Sequence, residues 1–248
     1  MNGIIYIAYT NKKYINDAIF SATSVKKHNN IPITIITDFD LTKYSCFDTV
    51  KQYPAERFKG IRCKQDFITE SPYENTIMID TDTFINDDIS DLFDILKRFD
   101  IALTHDYARK RIINQKHPHK PSGYLFSTHK EYSEIPYCFP EFNTGVIVYR
   151  KTDKVIHFFK TWQKKYQDFR HLTPYDQPSF RVALWQSDLN IATLPIEYNT
   201  RSKDIKEKNI KYRNSGIFQK NHLQPRIYHW HNISELKMKQ ITEKAQYF

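Results

Sequence analysis

The sequence predicts an α/β fold, a mostly parallel central sheet flanked by helices, and three observations predict it. Short apolar, β-branched runs recur at residues 4–8, 33–37, 76–79, 100–104, 146–149 and 191–195. Stretches with apolar residues at helical spacing lie between several of them, and such alternation implies right-handed crossovers between parallel strands. The run Thr76-Ile77-Met78-Ile79 is apolar without alternation, the pattern of a strand buried on both faces, and it leads directly into Asp80-Thr81-Asp82.

Taken in order, Ile4-Ile5-Tyr6-Ile7-Ala8 predicts a first strand that breaks at Tyr9-Thr10-Asn11. Ile15, Ala18, Ile19, Ala22 and Val25 then mark a helix ending near His28-Asn29-Asn30. Residues 33–37 form a second strand, followed by Asp38. Residues 53–67 hold at most a short strand, around Ile61-Arg62-Cys63. After the central strand, Asp87-Asp88 are placed to cap a helix carrying Ile89, Leu92, Phe93 and Leu96. The pattern dissolves over residues 107–140, where basic residues, prolines and aromatics mix. Phe142-Asn143-Thr144-Gly145 reads as a polar turn feeding a buried strand. Val155, Phe158, Phe159, Trp162, Tyr166 and Phe169 mark an amphipathic helix whose aromatic stripe belongs in the core. Thr173-Pro174 has the form of a helix start, which puts Asp176-Gln177 in an exposed first turn. Residues 203–213 are a charged run, and Ile227-Tyr228-His229-Trp230-His231 is a late strand.

Composition limits the function. Forty per cent apolar and 15% aromatic residues in a chain of 248 argue for a packed core large enough for one domain. Five glycines leave no glycine-rich phosphate loop, so phosphates would be held by metal and basic side chains. The net charge of +9 suits an anionic substrate, nucleic acid or a negatively charged membrane surface. Cys46, Cys63 and Cys138 are odd in number and widely spaced, which predicts reduced thiols in a cytoplasmic protein. The apolar start, residues 4–8, is too short for a signal peptide or a spanning segment.

Asp80 and Asp82 carry the sharpest chemical signal. In extended backbone they point the same way, and two like charges held that close resist desolvation unless a cation sits between them. Carboxylate oxygens suit Mg²⁺ or Mn²⁺, bound through one or two protein ligands and completed by substrate phosphates. The plainer alternative is that Asp82 caps the following turn and Asp80 is solvated at a strand end.

The ordered set of a strand–helix start, Asp80-Thr81-Asp82, Asn143-Thr144-Gly145-Val146, Asp176-Gln177 and a late His229-Trp230-His231 resembles a GT-A glycosyltransferase. The chain is similar to glycosyltransferase family 8 and related nucleotide-diphospho-sugar transferases from about residue 4 to residue 232. That resemblance implies a single GT-A domain, with residues 1–106 binding the nucleotide-sugar and residues 107–248 forming an acceptor side and metal-ligand segment. It implies transfer of a sugar from a nucleotide-diphosphate sugar, a UDP-sugar above all, to a glycan or glycoconjugate hydroxyl. Asp82 matches the direct Mn²⁺ or Mg²⁺ ligand and Asp80 the residue that touches metal and ribose, with Thr81 between them. His229 matches the histidine that closes the metal shell, with His231 as rival because the usual His-x-x-Gly ending is absent. Ala8-Tyr9-Thr10 match the place where the base is held, and Lys64 and Arg109 sit where basic residues meet the diphosphate. Asn143, with Gly145 beside it, matches a donor-sugar contact, and Asp176-Gln177 lie near the reacting carbon.

The accessory residues have plainer readings too: Lys64 as a surface lysine, Asn143 as a turn residue, Asp176 as a charge favoured by a helix N-terminus. If inversion occurs, Asp176 would remove the acceptor proton; with retention, Asp176-Gln177 would bind donor and acceptor. Two other classes compete. Asp80-Thr81-Asp82-Thr83 also fits a D-x-D-x-T phosphatase, although a full βαβ unit precedes it and no late G-D-x-x-x-D follows. A nucleic-acid-binding module would want a clustered basic face, whereas the charges are spread along the chain, so no nucleic-acid partner is expected. The stretch 107–140 reads as a mobile lid and acceptor wall, or as an ordinary surface excursion.

Overall fold

The computed structural model describes residues 1–58, 64–106, 129–136, 138–201 and 225–229. Its strands, in chain order, are β1 (Asn2–Ile7), β2 (Ile33–Thr37), β3 (Thr49–Gln52), β4 (Asn75–Ile79), β5 (Thr83–Ile85), β6 (Ile101–His105), β7 (Phe142–Arg150), β8 (Ile191–Leu194), β9 (Thr200–Arg201) and β10 (Ile227–His229). Seven of them form one sheet in the order β3-β2-β1-β4-β7-β6-β8, and β5-β10-β9 form a second. β1 runs parallel to β2, β2 to β3 and β6 to β8, while β7 is antiparallel to β6. The fold class is the expected one, a mostly parallel sheet with flanking helices. β4 takes an interior position, which explains why Ile77, Met78 and Ile79 are all buried and why its sequence does not alternate.

The chain divides into two compact units. The first comprises Met1–Gly3, Phe58–Met78 and Leu92–Leu194. Its helices are α2 (Lys64–Phe67), α3 (Lys130–Ser133), α4 (Asp153–Phe169) and α5 (Gln177–Trp185). The Thr152 hydroxyl caps α4 by accepting the Val155 amide. The aromatic stripe of α4 is core, as its spacing predicts: Trp162 packs edge-on to Phe180 of α5 at 4.8 Å, and Phe159 packs edge-on to Tyr149 of β7 at 4.9 Å. Gly3 is required by close approach, because a Cβ there would lie 2.4 Å from the Tyr73 ring.

The second unit comprises Ile4–Arg57, Ile79–Asp91 and Pro195–Phe248. Its long helix is α1 (Lys12–His28), capped by the Asn11 side chain, which accepts the Lys13 amide. Lys26, Lys27 and His28 in its last turn complement the helix dipole. Ile15, Ala18, Ala22 and Val25 are buried on one face, at the expected spacing.

Several local expectations are corrected. The segment after β5 is not an α-helix but two 3-10 turns, Ser90–Phe93 and Ile95–Lys97. Asp88 accepts from both the amide and the hydroxyl of Ser90, and the Asn29 side chain binds the Ile89 amide and the Asp87 carbonyl, so local polar bonds replace helical ones. Asn143, Thr144 and Gly145 lie within β7, not in a turn before it. Helix α5 begins at Gln177 with Pro178 in its first turn, because the Thr173 hydroxyl is committed to a local turn with the Tyr175 amide. β3 was not anticipated. The expected strand at Ile61-Arg62-Cys63, the run 203–213, most of the stretch 107–140, Arg109, Trp230 and His231 lie outside the described residues. Among the described residues no helix is long and apolar enough to cross a membrane.

Candidate active site

In the second unit, β4 stops at Ile79 and the chain turns through Asp80-Thr81-Asp82 into β5. β10 pairs antiparallel with β5, so that His229 stands opposite Thr83, Tyr228 opposite Phe84 and Ile227 opposite Ile85. That register delivers an imidazole from far down the chain to the residue beside Asp82. His229 Nε2 lies 3.3 Å from Asp82 Oδ1 and 3.9 Å from Asp80 Oδ2, and its Nδ1 lies 2.8 Å from the Asn199 side-chain oxygen. One ligand atom from each of Asp80, Asp82 and His229 falls within 4.8 Å of the others. The side chains are 29%, 15% and 11% exposed respectively, open enough to admit an ion.

Two carboxylates held this close repel each other. The fold imposes that cost through the backbone. Tyr6 OH is 2.8 Å from Ser21 Oγ, Ser21 Oγ is 2.7 Å from Thr83 Oγ1, and Thr83 donates to the Asp80 carbonyl at 2.9 Å. Since the carbonyl only accepts, the chain runs one way: Tyr6 donates to Ser21, Ser21 to Thr83, Thr83 to Asp80. Ser24 adds a fourth hydroxyl, accepting the Ile85 amide at 2.9 Å. The turn carrying both carboxylates is thus tied to β1 and α1. Two carboxylate oxygens and one imidazole nitrogen suit a divalent cation such as Mn²⁺.

At the end of β1, Ala8 and Tyr9 are buried and Thr10 is exposed. Thr10 has φ 57°, a left-handed conformation costly for a β-branched residue. Its amide is held by both oxygens of Asp38, at 2.9 and 3.0 Å, and Asp38 follows β2.

The first unit holds the other candidates, in two clusters. Gln177 donates to Asp106 Oδ2 at 2.9 Å and to the Phe142 carbonyl at 3.0 Å; Asn143 donates to the same Asp106 oxygen at 3.4 Å and accepts the Gly145 amide at 2.8 Å. Asp106, Asn143 and Gln177 are all buried. Lys64 is not a plain surface lysine: its ammonium donates to the Thr144 carbonyl at 2.9 Å and pairs with Asp176 Oδ2 at 3.4 Å, and the Thr144 hydroxyl donates to that carboxylate at 3.1 Å. Asp176 is 1% exposed, so the expected exposed first turn of the helix is instead a buried corner, with Trp162 Nε1 on the Asp176 carbonyl.

The β6–β7 register shifts beside the clusters. Leu103 faces Ile147 and His105 faces Phe142, so one residue of β6 stands against four of β7, namely Asn143 to Val146. Within β7, Asn143 bonds Asp106 and its neighbour Thr144 bonds Lys64. Asp106 went unrecognised in the sequence, although a carboxylate just past a strand end is the available signal. Asp38 has the same signal; Asn199 and Ser21 have none.

A family model described as nucleotide-diphospho-sugar transferase matches residues 74–239. No curated protein sequence matches the chain. Among solved structures, the galactosyltransferase LgtC, in complex with donor and acceptor sugar analogs, is similar with a TM-score of 0.65 at 12% identity, over 100% of this chain and 96% of that one. The glycosyltransferase GlyE of Streptococcus pneumoniae is similar with a TM-score of 0.59 at 15% identity, over 95% of this chain and 56% of that one. Mouse xyloside xylosyltransferase 1 in its apo form is similar with a TM-score of 0.54 at 12% identity, over 94% of this chain and 98% of that one.

Proposed function

The chain belongs to the nucleotide-diphospho-sugar transferases, and from that membership we propose that it is a metal-dependent glycosyltransferase using a UDP-sugar donor and a glycan or glycoconjugate hydroxyl as acceptor. The observation that carries the metal is the convergence of Asp80, Asp82 and His229. A Mn²⁺ or Mg²⁺ bound there would supply positive charge to offset the negative charge that grows on a departing diphosphate. Asp82 and His229 would hold the cation, and Asp80 would contact it and the donor ribose, as the family resemblance implies. Ala8, Tyr9 and Thr10 hold the base, with Asp38 fixing the strained turn. The family resemblance also assigns Thr81 and Gly145 to donor binding and Arg109 to the diphosphate.

Gln177 and Asn143 orient donor hydroxyls while Asp106 fixes both amides. The salt link from Lys64 to Asp176 supports a role for that pair in building the sugar pocket rather than in free proton abstraction. Cytoplasmic placement, with the net charge of +9 favouring an anionic membrane surface, completes the proposal.

A panel of nucleotide sugars tests it. With Mn²⁺, one UDP-sugar should be slowly hydrolysed in the absence of acceptor, and Asp82→Ala should slow this by roughly 100-fold or more. Phosphomonoester hydrolysis without donor hydrolysis would favour the D-x-D-x-T phosphatase reading instead.

A further inference from the structure

His229 has two ring nitrogens, and they have different neighbours. Nε2 looks toward Asp82 and Asp80 at 3.3 and 3.9 Å, whereas Nδ1 lies 2.8 Å from Asn199 Oδ1. An amide oxygen only accepts, so Nδ1 must carry the hydrogen. A neutral imidazole protonated at Nδ1 has its lone pair at Nε2, on the side of the carboxylates, which is the form that ligates a cation.

Asn199 is placed to impose this form. It is 2% exposed, ends the 3-10 turn Ile196–Asn199 and directly precedes β9. Thr200 and Arg201 of β9 pair with Tyr228 and His229 of β10. The turn itself is held by the Thr200 hydroxyl on the Ile196 carbonyl at 2.8 Å and by the Arg226 amide on the Glu197 carbonyl at 2.9 Å. Backbone register thus places the amide oxygen and the ring side by side, and neither depends on a long flexible side chain.

We propose that Asn199 is a positioning residue for the cation site: it fixes His229 as the Nδ1–H tautomer and aims Nε2 at the ion. The inference rests on the metal reading above. It adds a residue that acts through the ring, as outer partners of metal-bound histidines do.

Two measurements test it. The first is the ¹⁵N imidazole spectrum of the metal-free protein at a pH where His229 is neutral. The second is Mn²⁺ affinity, from the free-ion signal in electron paramagnetic resonance, for wild type, Asn199→Leu and Asn199→Asp, with circular dichroism checking the fold. Wild type should show only Nδ1–H. Asn199→Leu should mix the tautomers and weaken Mn²⁺ binding about 10–100-fold, while Asn199→Asp, which keeps an acceptor, should hold the tautomer and bind Mn²⁺ close to wild type. A wild-type ring protonated at Nε2 would overturn the proposal without any variant. So would wild-type affinity in Asn199→Leu, or Asn199→Asp as weak as Asn199→Leu. A wild-type chain that binds no Mn²⁺ overturns the metal reading and this one with it; a wild type that binds, beside an indifferent Leu variant, overturns this one alone.

Discussion

Thr83 is the residue on which the geometry of the two carboxylates turns. Its hydroxyl donates to the Asp80 carbonyl and accepts from Ser21, which accepts from Tyr6. Burial raises the Tyr6 phenol well above its ordinary value, so it remains a donor at any working pH. Thr83→Val keeps the shape and removes the link, leaving the Ser21 hydroxyl without its acceptor inside the protein. A loss of about 1–3 kcal/mol is expected in urea unfolding. Ser21→Ala combined with Thr83→Val should cost less than the two single changes added together, because the pair shares one bond. A Thr83→Val cost below about 0.5 kcal/mol, the level of an ordinary surface change, would mean the chain of hydroxyls is incidental. At this scale the sequence was legible where pattern exists. Asp80 and Asp82 stand out because a continuous apolar run ends on them with a spacing of two. His229 stands out only through an ordered set of motifs, and Asn199 does not stand out at all, since one buried amide has no period and no partner in the sequence.

Elements were legible where apolar residues repeat and illegible where polar bonds decide. Strands β1, β2, β4 and β6 and helices α1 and α4 follow the apolar spacing. The register shift between β6 and β7 does not, because register is a property of two strands together. The start of α5 was misplaced for a local reason, a threonine hydroxyl that forms a turn instead of a cap. The end of the sheet carries an expectation of its own. Asp100, just before β6, accepts the Asn190 amide ahead of β8 at 2.9 Å and pairs with Arg150 at the end of β7 and Lys154 of α4, each at 3.4 Å. Burial works against its carboxylate, yet the Asn190 amide, Lys154 and Arg150 outweigh burial and hold its pKa below the usual aspartate value. A folded-state pKa below the unfolded one contributes stability that is full above the unfolded value and is lost as pH falls through the folded value. Melting temperature should therefore fall as pH drops below about 4, and Asp100→Asn should flatten that acid limb while lowering stability at neutral pH. An acid limb unchanged in Asp100→Asn would mean that Asp100 does not set it.

For the molecule as a whole, the fold class was the most legible feature, since alternation of strand and helix runs through most of the chain. The family likewise showed through motifs that are individually weak and collectively ordered. Charge was less informative: +9 suits several partners, and only the site distinguishes among them. The site's logic depends on one absence in composition and one presence in geometry. Five glycines provide no phosphate loop, and Asp80, Asp82 and His229 bring three ligand atoms within 4.8 Å of one another, so the proposed diphosphate contact is a cation held there. Calorimetric titration of UDP tests that claim most directly, with Mn²⁺ present and with excess chelator, in wild type and in Asp82→Ala. Wild type should bind clearly with Mn²⁺, with a collapse in chelator and a collapse in Asp82→Ala even with the metal. Equal affinity with and without Mn²⁺ would contradict it.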